Sequence, residues 1–240
     1  MEKNIKEEFI STLSHEIRTP LTSIKGFSQT MLSSWDKLDE DKKKEFLGII
    51  LNQSQRLIKL VENVLNVAKI DSNSQNILLS KVDLNKIIET CIKLEKIAYP
   101  NFEFKFNRIS NELYSLCDND KVQQIILNIL ENACKYSNNS NTVEIRSFIE
   151  KEYCVISIKN FGSFIKEQDF EKIFEKFYRA DSYLNSTTQG SGLGLYIARN
   201  LAKKMNGNIK VKSNKEENLV EFLIFMPIYE IEEQTKKIGV

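Results

Sequence analysis

The chain has 240 residues, 41% hydrophobic and 28% charged, with 34 Lys and Arg against 33 Asp and Glu, one His and four Cys. A formal charge of +1 draws in neither a phosphate backbone nor an anionic membrane surface, so no nucleic-acid partner is expected. One histidine cannot build a His-rich metal site, and Cys91, Cys117, Cys134 and Cys154 form no Cys-x-x-Cys pair, so reduced cytoplasmic thiols are expected.

At ~100–200 residues per domain the length suits one large or two modest domains. No apolar run reaches the ~20 residues that span a bilayer, and Met1-Glu2-Lys3-Asn4 is no signal-peptide core. The expected location is the cytoplasm, with membrane attachment only through a segment ahead of residue 1. From residue 9 to about residue 31, Ile10, Leu13, Ile17, Leu21, Ile24 and Met31 recur at helical steps. A second stripe over residues 40–70 includes Phe46, Ile49, Ile50, Leu57, Leu60, Val61, Val64, Leu65 and Ala68. The polar, Asp-rich connector between them predicts an antiparallel hairpin. A lone hairpin leaves one side of each stripe bare. Either a second copy completes a four-helix bundle or the rest of the chain covers the hairpin, and the homodimer is the expected solution.

The division expected is a helical-hairpin domain at 1–72, a polar linker at 73–77, a second domain at 78–229 and a charged tail at 230–240. In the second domain, strand-like runs at 78–82, 102–106, 113–117, 142–149, 153–159, 208–213 and 219–226 alternate with helical patterns at 84–97, 121–136, 166–174 and 192–205. The fold class expected is therefore α+β: a helical hairpin followed by a mixed α/β domain.

The single histidine lies in Ser14-His15-Glu16-Ile17-Arg18-Thr19-Pro20-Leu21, off the apolar stripe. A solitary helical His is most often structural, but three neighbours alter that reading. Pro20 withholds an N–H from the Glu16 carbonyl and crowds it, which predicts a bend one turn after His15. Glu16 and Thr19 lie on the same side, a carboxylate able to take a proton and a hydroxyl able to hold a water. An imidazole of ordinary pKa ~6.5 is mostly neutral at pH 7, with one ring nitrogen free to attack and a proton on the other for a base to take. Residues 9–21, with the H-E-x-x-T-P-L core complete, resemble the phospho-acceptor segment of sensor histidine kinases of two-component systems.

Glycines cluster once, at Gly190, Gly192 and Gly194, just ahead of a helical run. Glycines let backbone approach a phosphate, and the helix start offers free N–H groups, although the spacing is that of neither a P-loop nor a dinucleotide fold. Earlier in the chain, Asn128, Asn132 and Lys135 share one helix face, where amide oxygens suit Mg²⁺ beside phosphate and the ammonium neutralises charge. Tyr136 follows as a flat surface for sugar or base. These two elements resemble the asparagine box and second glycine box of the histidine-kinase ATP-binding domain. Residues 170–179, with Phe177 and Arg179, resemble its phenylalanine box.

The resemblance spans residues 9–227. It implies an α/β sandwich with three helices on one sheet face, an ATP lid over about 178–189, ATP and Mg²⁺ as cofactors with Asn128 and Asn132 as metal ligands, and Leu193 among the nucleotide contacts. It also implies autophosphorylation of His15, with Glu16 as base, transfer to an Asp on a response-regulator receiver domain, and a phosphatase role for Thr19. Where the family's first glycine box reads D-x-G-x-G-I, this chain has Asn160, Gly162, Phe164 and Ile165. Asn160 keeps an acceptor oxygen without the charge, so weakened ATP affinity is expected. Two other functions compete. One is an ATP-hydrolysing clamp of gyrase or chaperone type, disfavoured because Asn128 stands where such enzymes carry a Glu base. The other is a docking module without catalysis.

Overall fold

The computed structural model describes residues 2–109, 111–138, 140–179 and 191–229, with side chains from residue 10 onward. Gly190, most of the stretch expected to form a lid and the tail at 230–240 lie outside the described residues.

Helices α1 (Glu2–Ser34) and α2 (Glu40–Asp71) form the hairpin, reversed by a 3-10 turn at Trp35–Lys37. The Asp39 carboxylate accepts from the Lys42 N–H at 2.7 Å and so caps α2, as the acidic connector led one to expect. Between the helices Phe27 meets Phe46 with ring centroids 5.0 Å apart, and Met31 and Leu60 are buried. Leu47, Leu51, Ile58, Val61 and Leu65 of α2 stay 46–59% exposed. Their four-, seven-, three- and four-residue steps are those of a coiled-coil seam. At the end of α2, Val67 and Ile70 join the core of the second half.

Beyond Asp71 no regular element occurs until β1 (Ser80–Asp83), which pairs with β3 (Tyr114–Cys117) in a two-stranded ribbon. The main sheet holds β2 (Glu103–Arg108), β4 (Thr142–Glu150), β5 (Tyr153–Phe161), β7 (Leu219–Pro227) and β6 (Asn208–Asn214) in that order. Only β2 and β4 run parallel. Val143 and Ile145 of β4 sit opposite Asn160 and Ile158 of β5, which sit opposite Val220 and Phe222 of β7. All six are buried, so they mark the covered face. The other face carries Arg146 and Glu221, paired at 3.2 Å, with the Ser157 hydroxyl donating to Glu221 at 2.6 Å. Along β4 this is the period-two pattern of a sheet covered on one side, whereas residues 154–158 of β5 are buried without a break. The pairing also places Asn160 on the covered face, one step beyond the last apolar pair.

Helices α3 (Leu84–Ala98), α4 (Asn119–Lys135) and α5 (Gly194–Lys204) supply that cover, with Ile88, Ile125, Ile129, Ile197 and Leu201 fully buried. The helix expected at 166–174 is instead two 3-10 turns, Glu167–Asp169 and Lys172–Phe174. The stretch is too short to recover the cost of nucleating a helix. Its side chains are held one by one: the Tyr178 hydroxyl donates to Asp169 at 2.8 Å, and Phe174 meets Phe222 edge-on. All four cysteines are free and buried. Burial pushes the Cys91, Cys134 and Cys154 thiols up to about 12, which keeps them protonated and unreactive. Among the described residues no helix is long and apolar enough to cross a membrane.

Candidate functional site

His15 and Thr19 are exposed on α1, and Pro20 is buried. The helix continues across Pro20 without interruption. The Thr19 hydroxyl donates to the His15 carbonyl at 3.1 Å, so its proton is engaged by backbone and its lone pairs remain available. Glu16 is turned toward α2, where its carboxylate meets the Arg56 guanidinium at 3.1 Å.

Facing this pair is a cavity of about 940 Å³ between the hairpin and the second domain. Its size is at the upper end of the ~300–1,000 Å³ usual for small-molecule sites. Glu16, Arg56 and Lys59 line it from the hairpin. From the other side come Asn128, Asn132, Lys135 and Tyr136 of α4 and its cap, Asn160, Gly162 and Ile165 at the end of β5, then Arg179, Gly192 and Gly194. Two expected contacts do not reach it. Leu193 is fully buried in the core, and Phe177 packs against that core while its N–H donates to the Gly192 carbonyl at 3.1 Å. Both support the glycine segment from behind. His15 does not line the cavity, although its neighbour Glu16 does.

The glycines differ in what requires them. Gly162 has φ +94° and donates to the Asn218 carbonyl at 2.6 Å, and a Cβ there would run into the backbone of Asn138. Gly192 has φ +66°, with Phe177 backbone where a Cβ would go. Gly194 opens α5, whose Leu193 cap makes no side-chain hydrogen bond. The first N–H groups of α5 are therefore left for an anion.

Asn128 Nδ2 is buried with no hydrogen-bond partner. A buried amide left without a partner costs ~1–3 kcal/mol, so a polar ligand group at this position would be favoured. A half-turn of the amide presents its oxygen instead. Among the described residues no group of three or more His, Cys, Asp or Glu could hold a metal alone. Amide oxygens from Asn128 and Asn132 fit Mg²⁺, which keeps waters and takes phosphate oxygens rather than a full protein cage.

Lys135 donates to Glu131 at 2.8 Å, and Lys59 of α2 reaches the same carboxylate. Burial acts to raise the Glu131 carboxyl, but the two ammonium groups outweigh it and hold it below the ordinary carboxylate range. Glu95 of α3 lies behind, 8% exposed, with Oε2 unpartnered. Burial first, then the Glu131 charge, push it up to about 7 against the pull of Lys59 and Lys135. Asn160 is 2% exposed and its Nδ2 reaches Ser163 Oγ at 3.4 Å, leaving the amide oxygen as the end for a ligand. Phe164 lines the cavity with Lys215 Nζ 5.6 Å from its ring centre, so the residue replacing a glycine forms part of the wall. At the far end of α2, Asp71 accepts from the Tyr196 hydroxyl at 2.8 Å and from Lys176 at 2.5 Å. Arg56, Lys59 and Asp71 carry no motif, and Glu131, although it stands inside the asparagine segment, is not singled out by it; in the sequence all four are ordinary charges on amphipathic helices.

Residues 5–73 match the His Kinase A (phospho-acceptor) domain, and residues 117–230 match the histidine kinase-, DNA gyrase B- and HSP90-like ATPase family. A similar curated protein is the signal transduction histidine-protein kinase ArlS of Staphylococcus haemolyticus, 32% identical over 222 residues. The match takes in 92% of this chain and 49% of that protein, so the chain spans about half the length of the curated relatives it matches. The solved histidine kinase ThkA, in complex with response regulator protein TrrA, superposes with a TM-score of 0.69 at 27% identity, over 95% of this chain and 63% of that one. Histidine kinase AdeS of Acinetobacter baumannii shares the fold with a TM-score of 0.69 at 21% identity, over 90% of this chain and 98% of that one.

Proposed function

The chain belongs to the histidine kinase family, and from its two matched halves we propose that it moves the γ-phosphoryl group of ATP onto His15. The observation that carries this reading is that Glu16, next to the only histidine, lines the same cavity as Asn128, Asn132 and Gly194. A free ring nitrogen of His15 forms the N–P bond while the bond from phosphorus to the β,γ-bridging oxygen breaks and its electron pair leaves on ADP. The proton of the other ring nitrogen passes to Glu16. Asn160 accepts from the adenine amine, and the start of α5 and Lys135 neutralise the phosphates. Mg²⁺, held by Asn128 and Asn132, would supply further neutralisation of phosphate charge. Because His15 stands outside the cavity, transfer requires the second domain to shift on the segment that follows Asp71.

From the phosphohistidine, the group passes to an Asp of a response-regulator receiver domain; the ThkA–TrrA complex supports a partner of that class. Thr19 orients water for the reverse, phosphatase direction. The bare seam of α2 pairs with a second copy in a four-helix bundle, since a coiled-coil stripe of this length is otherwise left in water.

Incubation with γ-labelled ATP and Mg²⁺ tests the reading. Acid-labile label on His15, absent from His15→Gln, is the expected result. Label released only as free phosphate, with no protein adduct, would instead favour the ATP-hydrolysing clamp.

A further inference from the structure

We propose that Arg56 exchanges partners during the cycle, holding Glu16 while the site is empty and the γ-phosphate of ATP once it is loaded. The inference rests on the kinase reading for its consequence, and on the Arg56–Glu16 pair for its geometry. Both side chains are about a quarter exposed, 25% for Arg56 and 23% for Glu16, and both line the cavity. In that setting an ion pair is screened less than on the open surface.

The reaction brings the γ-phosphorus to contact distance of a His15 ring nitrogen while Glu16 reaches the other nitrogen. Arg56, 3.1 Å from Glu16, then lies beside the incoming phosphate. A guanidinium fork fits carboxylate and phosphate equally well, and the terminal phosphate carries more charge than one carboxylate. Of the two cations that the hairpin contributes to the cavity wall, Lys59 is drawn to Glu131 and Arg56 to Glu16, the base itself. Transfer of Arg56 to the phosphate frees Glu16 Oε2 to receive the imidazole proton. The base is thereby released only when a γ-phosphate is present, and ADP leaves the pair closed.

The test compares Mg·ADP with the magnesium complex of β,γ-imido ATP by calorimetric titration of the whole chain as wild type, Arg56→Gln, Arg56→Lys and Glu16→Gln. Arg56→Gln should weaken the imido analogue about ten-fold, the scale of one charge-assisted hydrogen bond, and leave ADP within about two-fold. Arg56→Lys should fall between. Glu16→Gln removes the competing carboxylate and should tighten the analogue a few-fold with no change for ADP, a gain that misfolding cannot produce. Equal changes for both nucleotides, or none, overturn the proposal. These arms involve no phosphoryl transfer, so a failure of His15 to become labelled would remove the kinase reading without deciding the partner exchange.

Discussion

Gly192→Ala and Gly194→Ala should behave oppositely, although one glycine motif contains both. At Gly192 the backbone has φ +66°, and an added Cβ would lie 2.7 Å from Phe177 Cα and 2.8 Å from its carbonyl carbon. Carbon atoms at rest sit ~3.5–4.0 Å apart, so the turn at Phe177 must move by nearly an ångström. The left-handed conformation costs an alanine roughly 1–2 kcal/mol, and overpacking of a tight contact adds about 1–3 kcal/mol. At roughly 2–4 °C per kcal/mol for a chain of this size, the melting midpoint should fall by about 8 °C. The 3.1 Å bond from the Phe177 N–H to the Gly192 carbonyl is the first to stretch. At Gly194 the nearest atom to a Cβ is Asn128 Oδ1 at 3.7 Å, an ordinary contact. Gly194 is the first residue of α5, where only part of the ~0.8–1.0 kcal/mol by which alanine exceeds glycine in helix interiors applies, so Gly194→Ala should melt at or slightly above wild type. Its methyl would nevertheless crowd the approach to the α5 N-terminus and weaken ATP. Circular dichroism melts and ATP titration separate the two effects. A Gly192→Ala midpoint within ~1 °C of wild type, or a Gly194→Ala midpoint below it, would refute the reasoning.

Glu95 makes stability depend on pH with a definite sign. Its carboxyl, pushed up from 4.5 to about 7, keeps a proton in the folded state that the unfolded chain has released, so stability falls as pH rises through that window. Glu95→Gln should gain on the order of 2–3 kcal/mol over wild type at pH 8 and nothing at pH 4.5, read from denaturant titrations; parallel profiles would exclude the effect. Asn160→Asp restores a charged acceptor and should tighten ATP roughly five-fold, the ~1 kcal/mol between neutral and charged hydrogen bonds, with an unchanged Kd arguing against an adenine contact there. Ile58→Glu places a carboxylate in the bare seam and should convert a dimer to a monomer in sedimentation velocity with helicity retained; a wild-type chain that already sediments as a monomer would remove the seam argument.

The strands were legible because their evidence is local. All the strand-like runs became strands within a few residues: β4 alternates because one face is covered, and β5 reads as a short apolar run because residues 154–158 are buried on both faces. The hairpin helices were equally plain from their stripes and the Asp39 cap. The segment at 166–174 was not, because its apolar spacing suits a helix while tertiary contacts to Asp169 and Phe174 hold it in separate turns.

For the site, residue type and spacing alone marked His15, Glu16, the asparagines of α4 and the glycines ahead of α5, because their chemistry depends on neighbours within a turn. Which of them face one cavity was decided by packing: Leu193 went into the core and Phe177 behind Gly192. Arg56 reaches Glu16 and Lys59 reaches Glu131 across 40 and 72 residues of chain. Such pairs leave no trace in a periodic pattern: the first forms when α1 and α2 pack as a hairpin, the second when α2 docks on α4 of the second domain.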